Sequence, residues 1–221
     1  IDESREFRRF VDPAELASED NDLDRREGSV RLDEGHPAVV FRHVSRNDDT
    51  RTIIATLLPE QEYVYCKGYV HSIAHAQQTK PVELLALVGY LNSFTCDWWA
   101  RRIVDRHVSS PVINNLPIPE WEEDEVQRVG KLAAELIRRG GLQTLPGGYS
   151  VPVGGNASTL EEHEIRTRIE KIVADGFSLR EEHYDTVLAD FSSNACPDDL
   201  ALKIKQSVSS TPVDPGDTLE G

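Results

Sequence analysis

The stretch "LNSFTCDWWARRIVDRHVSSPVINNLPIPEW" (residues 91–121) decides how this chain is organised. It follows an apolar run in which Val82, Leu84, Leu85, Leu87, Val88 and Leu91 are too uniformly hydrophobic for a surface helix, so burial on most sides is expected. Pro81 suits the first turn of that helix. Asn92-Ser93 interrupts it, and Ser93 suits the N-cap of a second helix. Phe94, Trp98 and Ile103, with Trp99, would give the second helix a broad apolar face. Consecutive helical residues project in different directions, so Trp98 and Trp99 cannot form one flat platform; Trp98 is expected in the core and Trp99 as a lining residue. Arg101, Arg102, Asp105, Arg106 and His107 close this helix, and three prolines predict an extended path over residues 107–121.

Upstream, residues 38–44 ("AVVFRHV"), 51–58 and 62–74 read as strands, with Gly68 as a bend. Downstream, residues 122–139 form an amphipathic helix with acids in the first turn and arginines in the last. Its apolar face is Val126, Val129, Leu132, Ala133, Leu136 and Ile137, and Gly140-Gly141 stops it. Two capping boxes, Ser158 with Glu161 and Ser178 with Glu181, are expected to open further helices. The first carries Ile165, Ile169, Ile172 and Val173 on one stripe, and Pro197 begins a last short helix. The expectation is an α+β fold: an acidic connector (1–37), a mixed β-sheet with buried helices (38–139), a Gly/Pro-rich linker (140–158), a helical C-terminal segment (159–208) and a disordered tail (209–221).

The formal net charge is −15, which by itself argues against nucleic acid, since phosphate binding requires positive charge. The charge is uneven, however. Residues 1–37 carry net −6 and residues 116–221 net −10, whereas residues 38–115 carry net +1 and four of the seven histidines. Overall charge governs solubility and steering, not what one face can bind.

Three cysteines with no CxxC pair argue against a disulfide framework, so a reduced, cytoplasmic setting is expected. No apolar run approaches the ~18 residues of a membrane span, and no secretory signal opens the chain. The chain begins at Ile1 and contains no Met, as expected of a piece cut from a longer protein.

No GxGxxG, Walker loop, HExxH or GxSxG motif occurs, so no catalytic residue, no cofactor and no metal is assigned to this segment. Cys66, His71 and His75, with Cys96, could ligate a metal, but their spacing fits no common zinc pattern; strand residues facing alternately in and out are the favoured reading. Asp198 and Lys203 faintly resemble a nuclease cluster, yet lie on one short helix. The arginines are more informative, because a guanidinium matches guanine edges and phosphates bidentately. Ser109, Ser110, Asn114 and Asn115 add neutral donors and acceptors. The competing reading is helix capping plus surface salt bridges.

Leu91-Asn92-Ser93, Asp97-Trp98, Arg101 and Asn114 to Pro119 ("NNLPIP") together resemble a region of bacterial DNA adenine methyltransferases. That family shows an "LL..LNS…DW..R" helix followed by "NN-LPIP". It includes type IIG restriction–modification enzymes and the methylases of BREX- and DISARM-like phage defence. "AVVFRHVSRNDDTRTIIATLLP" is similar to its upstream "FR…RT.IAA.LP" segment. "EIRTRIEKIVADGFSLREEHYDTVLADF" is similar to its C-terminal helical pair, with Phe177 where a glycine of "YGL" is expected. The resemblance implies a target recognition domain that reads duplex DNA for an upstream methyltransferase domain in the same chain. That domain would hold S-adenosylmethionine, and the present segment alone would not catalyse. Carried over to this sequence, base contacts fall on Arg102, Asp105, Arg106, His107, Ser109 and Ser110. Backbone contacts fall on Arg42, Arg46, Arg51, Lys67 and Arg101.

Two rival expectations stand beside this one. The first is a docking module, or acidic DNA mimic, that binds other subunits of a defence complex. The second is a small independent nuclease.

Overall fold

The computed structural model describes residues 29–31, 37–58, 64–66, 70–73, 79–139 and 160–209. Strand β1 (Ser29–Arg31) pairs antiparallel with β4 (Val64–Cys66). The larger sheet has β2 (Ala38–Arg42) at its centre, flanked by β3 (Ala55–Leu58) and β5 (Val70–Ile73), again antiparallel. Every described pairing is antiparallel, so the expectation of a mixed sheet is corrected. The apolar run "AVVF", with β-branched Val39 and Val40, suits a strand buried on both faces, which is why it takes the centre. Val39 and Phe41 face the main core with Ala55 and Leu57, while Ala38, Val40 and Leu58 form a small cluster opposite.

The second expected strand is shorter than residues 51–58. Only its last four residues pair, because Arg51 and Thr52 turn instead toward a helix and are held there by Asp97.

Seven helices complete the described structure: α1 (Pro81–Leu91), α2 (Phe94–Ile103), α3 (Ser110–Asn114), α4 (Glu123–Arg139), α5 (Glu162–Gly176), α6 (Glu181–Leu188) and α7 (Asp198–Ser209). The fold is α+β. Helix α1 is buried nearly all round, as its uniform hydrophobicity requires. It packs closely on α4, where a Cβ added at Gly130 would meet the Val82 carbonyl oxygen at 2.7 Å.

Ile165, Ile169, Ile172 and Val173 of α5 enter the same core as the sheet and α1, so the C-terminal helices pack with residues 38–139 as one body. A second cluster joins Phe94 of α2 to Tyr184, Leu188, Leu200 and Ile204 of α6 and α7.

Several local expectations are corrected. Residues 107–121 are not extended throughout: Pro111, in the first turn, allows the single-turn helix α3. Helix α5 begins after Glu161 rather than at a Ser158 box, and Ser158 and the 140–158 linker lie outside the described residues. Ser178 does not cap α6, whose N-cap is Arg180. Ser178 instead adopts φ 54° as the left-handed residue closing α5, one position after Phe177. Helix α7 runs through Ser209, further than a tail starting there allows. Ile103 is half exposed rather than part of a buried face. Among the described residues no helix is long and apolar enough to cross a membrane.

Candidate functional site: the arginine-rich edge of α2 and the loop after it

The residues of the motif-bearing helix divide by period. Asp97 and Arg101 lie on one face, Trp98 and Arg102 on the next, Trp99 and Ile103 on a third. Each face does something different.

Asp97 is completely buried. Its carboxylate accepts from the Arg51 Nε at 2.6 Å and from the Thr52 amide at 3.0 Å, and lies 3.6 Å from the Arg101 Nε. One carboxylate thereby faces two guanidinium groups, and the set of three keeps a net positive charge. Arg51 also donates to the carbonyls of Asn92 (2.7 Å) and Ser93 (3.1 Å), placing a cation at the C-terminal end of α1. It sits 4.6 Å over the Phe94 ring. Arg101 donates to the carbonyls of Asn47, Asp49, Thr50 and Asp190, and lies 4.4 Å from the Phe191 ring centre. Arg42 donates to the Ser45 hydroxyl, the Asp49 carboxylate and the Arg51 carbonyl. Of the backbone-contact candidates, Arg42, Arg51 and Arg101 are thus turned toward the protein: Arg42 braces the loop over residues 45–51 from within, and Arg51 and Arg101 bind it to α2. Arg46 is exposed, and Lys67 lies outside the described residues.

Asn92 has a role that its sequence neighbours did not announce. Its side-chain amide accepts from the Ala55 amide (3.1 Å) and donates to the Ala55 carbonyl (2.8 Å), acting as one residue of an extra strand beside β3. Ser93 caps α2 as expected, accepting from the Cys96 amide at 3.1 Å. The first turn of α2 is closed by Glu170 from α5. Its buried carboxylate accepts from the amides of Phe94 (2.7 Å) and Thr95 (2.9 Å) and from the Thr95 and Tyr184 hydroxyls. Burial, with the Glu170 charge adding, pushes the Tyr184 hydroxyl well above the usual tyrosine range. Burial likewise raises Tyr90 and Cys96 and lifts Cys196 to about 11.

On the next face, Arg102 lies 4.1 Å over the Trp98 ring and pairs with Asp190 at 2.5 Å. Beyond α2 the chain is pinned at Val104 and Val108, both buried, and by the bridge of Val44 to His107. Between these pins Asp105 and Arg106 are exposed, 4.0 Å from each other. The exposed His107 ring stacks on His43 at 4.8 Å, and His43 stacks on His71 at 4.0 Å. Ser109 is half-buried, while Ser110, Asn114 and Asn115 are exposed.

The loop is fixed again at its far end. Leu116 and Pro119 are buried, Tyr90 donates its hydroxyl to the Pro117 carbonyl, and the Trp121 indole donates to the Ile172 carbonyl. Of the base-contact candidates, the structure gathers Arg102, Asp105, Arg106 and His107 at the end of α2, with Ser109 and Ser110 starting α3.

Two residues outside the candidate set share this edge. Trp99 is 43% and Ile103 50% exposed, four residues apart on α2. The adjacent tryptophans were the signal for the first; nothing in the sequence distinguished Ile103 from a core residue.

Among the described residues no group of three or more His, Cys, Asp or Glu is placed to hold a metal. Cys96 is buried, His71 is engaged in the histidine stack, and His75 lies outside the described residues. Asp198 and Lys203 are exposed positions on α7. Comparison of the chain with protein-family models, curated proteins and solved structures finds no match.

Proposed function

We propose that this chain is the DNA-reading part of a larger site-specific adenine-N6 methyltransferase of a restriction–modification or phage-defence system. The observation that carries the proposal is the separation of roles along residues 91–121. Motif residues Asn92, Ser93, Asp97 and Arg101 build a hydrogen-bonded frame; Arg102 stands at its edge in the last turn of α2, and the pinned stretch beyond it carries exposed Arg106, His107 and Ser110. Polar side chains held at the edge of a fixed frame suit base readout. Arg106 and Arg46 supply exposed positive charge on neighbouring backbone segments, joined by the Ser45 amide donating to the Arg106 carbonyl. In this proposal phosphate contacts shift to Arg46 and Arg106, because Arg42, Arg51 and Arg101 are spent on the frame. S-adenosylmethionine and the methyl transfer belong to the upstream domain, which acts on an adenine turned out of the duplex.

The test is single-molecule sequencing of genomic DNA from a host carrying the full-length protein, its deletion, or Arg106→Ala. A methylated-adenine motif that is present with the wild type, absent on deletion and weakened or relaxed by Arg106→Ala is the expected result. No protein-dependent methylation in any strain removes the proposal.

A docking role is the second reading, favoured by exposed Trp99 and Ile103. It predicts that Arg102→Ala with Arg106→Ala leaves methylation intact and disrupts assembly with other subunits; DNA reading predicts the reverse.

A further inference from the structure

Arg102 differs from its neighbouring arginines in how it is held. Arg51 and Arg101 are locked inside by several carbonyls and the buried Asp97 carboxylate. Arg102 lies over the Trp98 ring at 4.1 Å and meets one carboxylate, Asp190, at 2.5 Å. Both partners are about a third exposed, at 39% and 32% of the side chain. Asp190 itself is fixed, because its main-chain carbonyl accepts from Arg101 at 3.2 Å. The pair stands at an open polar cleft of about 450 Å³ whose lining also includes Asp48 and Asp49, so Asp190 is one of three acids there beside Arg101 and Arg102.

We infer that Asp190 is a positioning residue for DNA reading: its carboxylate occupies, in the free protein, the place on Arg102 that a guanine edge or a phosphate takes when DNA is bound. The inference rests on the DNA-reading proposal above. A carboxylate presents to the guanidinium fork the same paired acceptors as a phosphate or the O6 and N7 of guanine. The Trp98 face restrains the direction of the fork, which lowers the freedom lost on binding. A partly exposed ion pair is weak, so a well-placed acceptor displaces it and a poorly placed one does not. Asp190 therefore suppresses non-specific phosphate contact by a reading arginine. It also couples the C-terminal helices to the loop after α2, a link invisible along the chain because 88 residues separate the partners.

The experiment uses the full-length protein and two duplexes, one containing and one lacking the methylated motif, titrated across a range of salt. Asp190→Asn keeps the side-chain shape and leaves the main-chain contact with Arg101 in place. It is expected to raise affinity for the motif-free duplex roughly two- to tenfold. It is also expected to steepen the slope of log affinity against log salt by about one and to narrow discrimination between the duplexes. Asp190→Glu restores discrimination, and Arg102→Ala abolishes the effect of Asp190→Asn. A merely structural ion pair would lower the unfolding midpoint of Asp190→Asn and leave the salt slope unchanged, which overturns the inference. Binding by the wild type with Arg102→Ala neutral also overturns it, while DNA reading stands. Absence of binding by the wild type and every variant removes both.

Discussion

The Asp97 carboxylate accepts the Arg51 guanidinium at 2.6 Å across 46 residues of chain, and it is wholly buried. This contact joins the loop after β2 to the motif-bearing helix, with Arg101 closing the same carboxylate from the other side. Removing one partner of such a group leaves uncompensated charge inside the protein. Asp97→Ala is therefore expected to destabilise by about 3–5 kcal/mol. Denaturant unfolding measures it; a loss below about 1 kcal/mol would show that the two arginines find solvent.

Glu170 closes the first turn of α2 from α5. Glu170→Ala strands the Phe94 and Thr95 amides, while the Thr95 and Tyr184 hydroxyls keep each other at 2.8 Å. Buried donors left unpaired cost about 1–3 kcal/mol each where no water enters, so a total loss of about 3 kcal/mol is expected. Amide exchange at Phe94 and Thr95 should accelerate before global unfolding. Equal protection in the variant would contradict the assignment.

Gly130→Ala sets two effects against each other. Alanine favours a helix by about 1 kcal/mol over glycine. The new methyl group, however, meets the Val82 carbonyl oxygen at 2.7 Å, and a backbone atom cannot rotate away. Overpacking of this kind costs about 1–3 kcal/mol, so net destabilisation is expected. A raised melting temperature would mean that α1 and α4 can separate without loss.

Ser178 pays the steric cost of a left-handed backbone at φ 54°. Ser178→Gly relieves about 1 kcal/mol of that strain and gives part of it back through a freer unfolded chain. A net gain of roughly 0.5 kcal/mol is expected by thermal unfolding; destabilisation would mean that its side chain holds the turn.

Cys196 illustrates a pH effect whose sign follows from burial. Its thiol is lifted from the ordinary value near 9 to about 11, chiefly by burial. At pH below 9 both folded and unfolded thiols keep their protons and this contribution is intact. Between about 9 and 11 the unfolded chain ionises first, so the contribution is lost as pH rises. Cys96 is raised for the same main reason. Neither thiol is expected to react with iodoacetamide at pH 8 until the protein unfolds. Mass spectrometry of labelled native protein checks this, and rapid native labelling at either position would contradict it.

The expectations that succeeded depended on local periodicity. Burial of α1 followed from six apolar positions with no polar face, and the inward stripe of α5 from the spacing of its isoleucines. The Ser93 cap followed from short-range backbone chemistry. Those that failed depended on how neighbouring elements end or pack: Ser178 does not cap α6 because it closes α5 instead. What Arg51 meets in the folded chain, the Asp97 carboxylate 46 residues away, was not legible in its neighbours. Trp98 and Trp99 could be separated by helix geometry, but Ile103 could not be placed without knowing what covers it.

Composition and pattern by themselves determined an acidic α+β chain with one near-neutral segment, a buried helix and a broken junction at Asn92-Ser93. These properties are written in the order of residues, because periodicity and capping act over a few positions. Tertiary structure alone decided which arginines are scaffold and which remain at the surface. A guanidinium has the same chemistry in either place, and only the carboxylate or carbonyl that meets it in the folded chain, at Asp97 for Arg51 and at Asp190 for Arg102, decides where it sits.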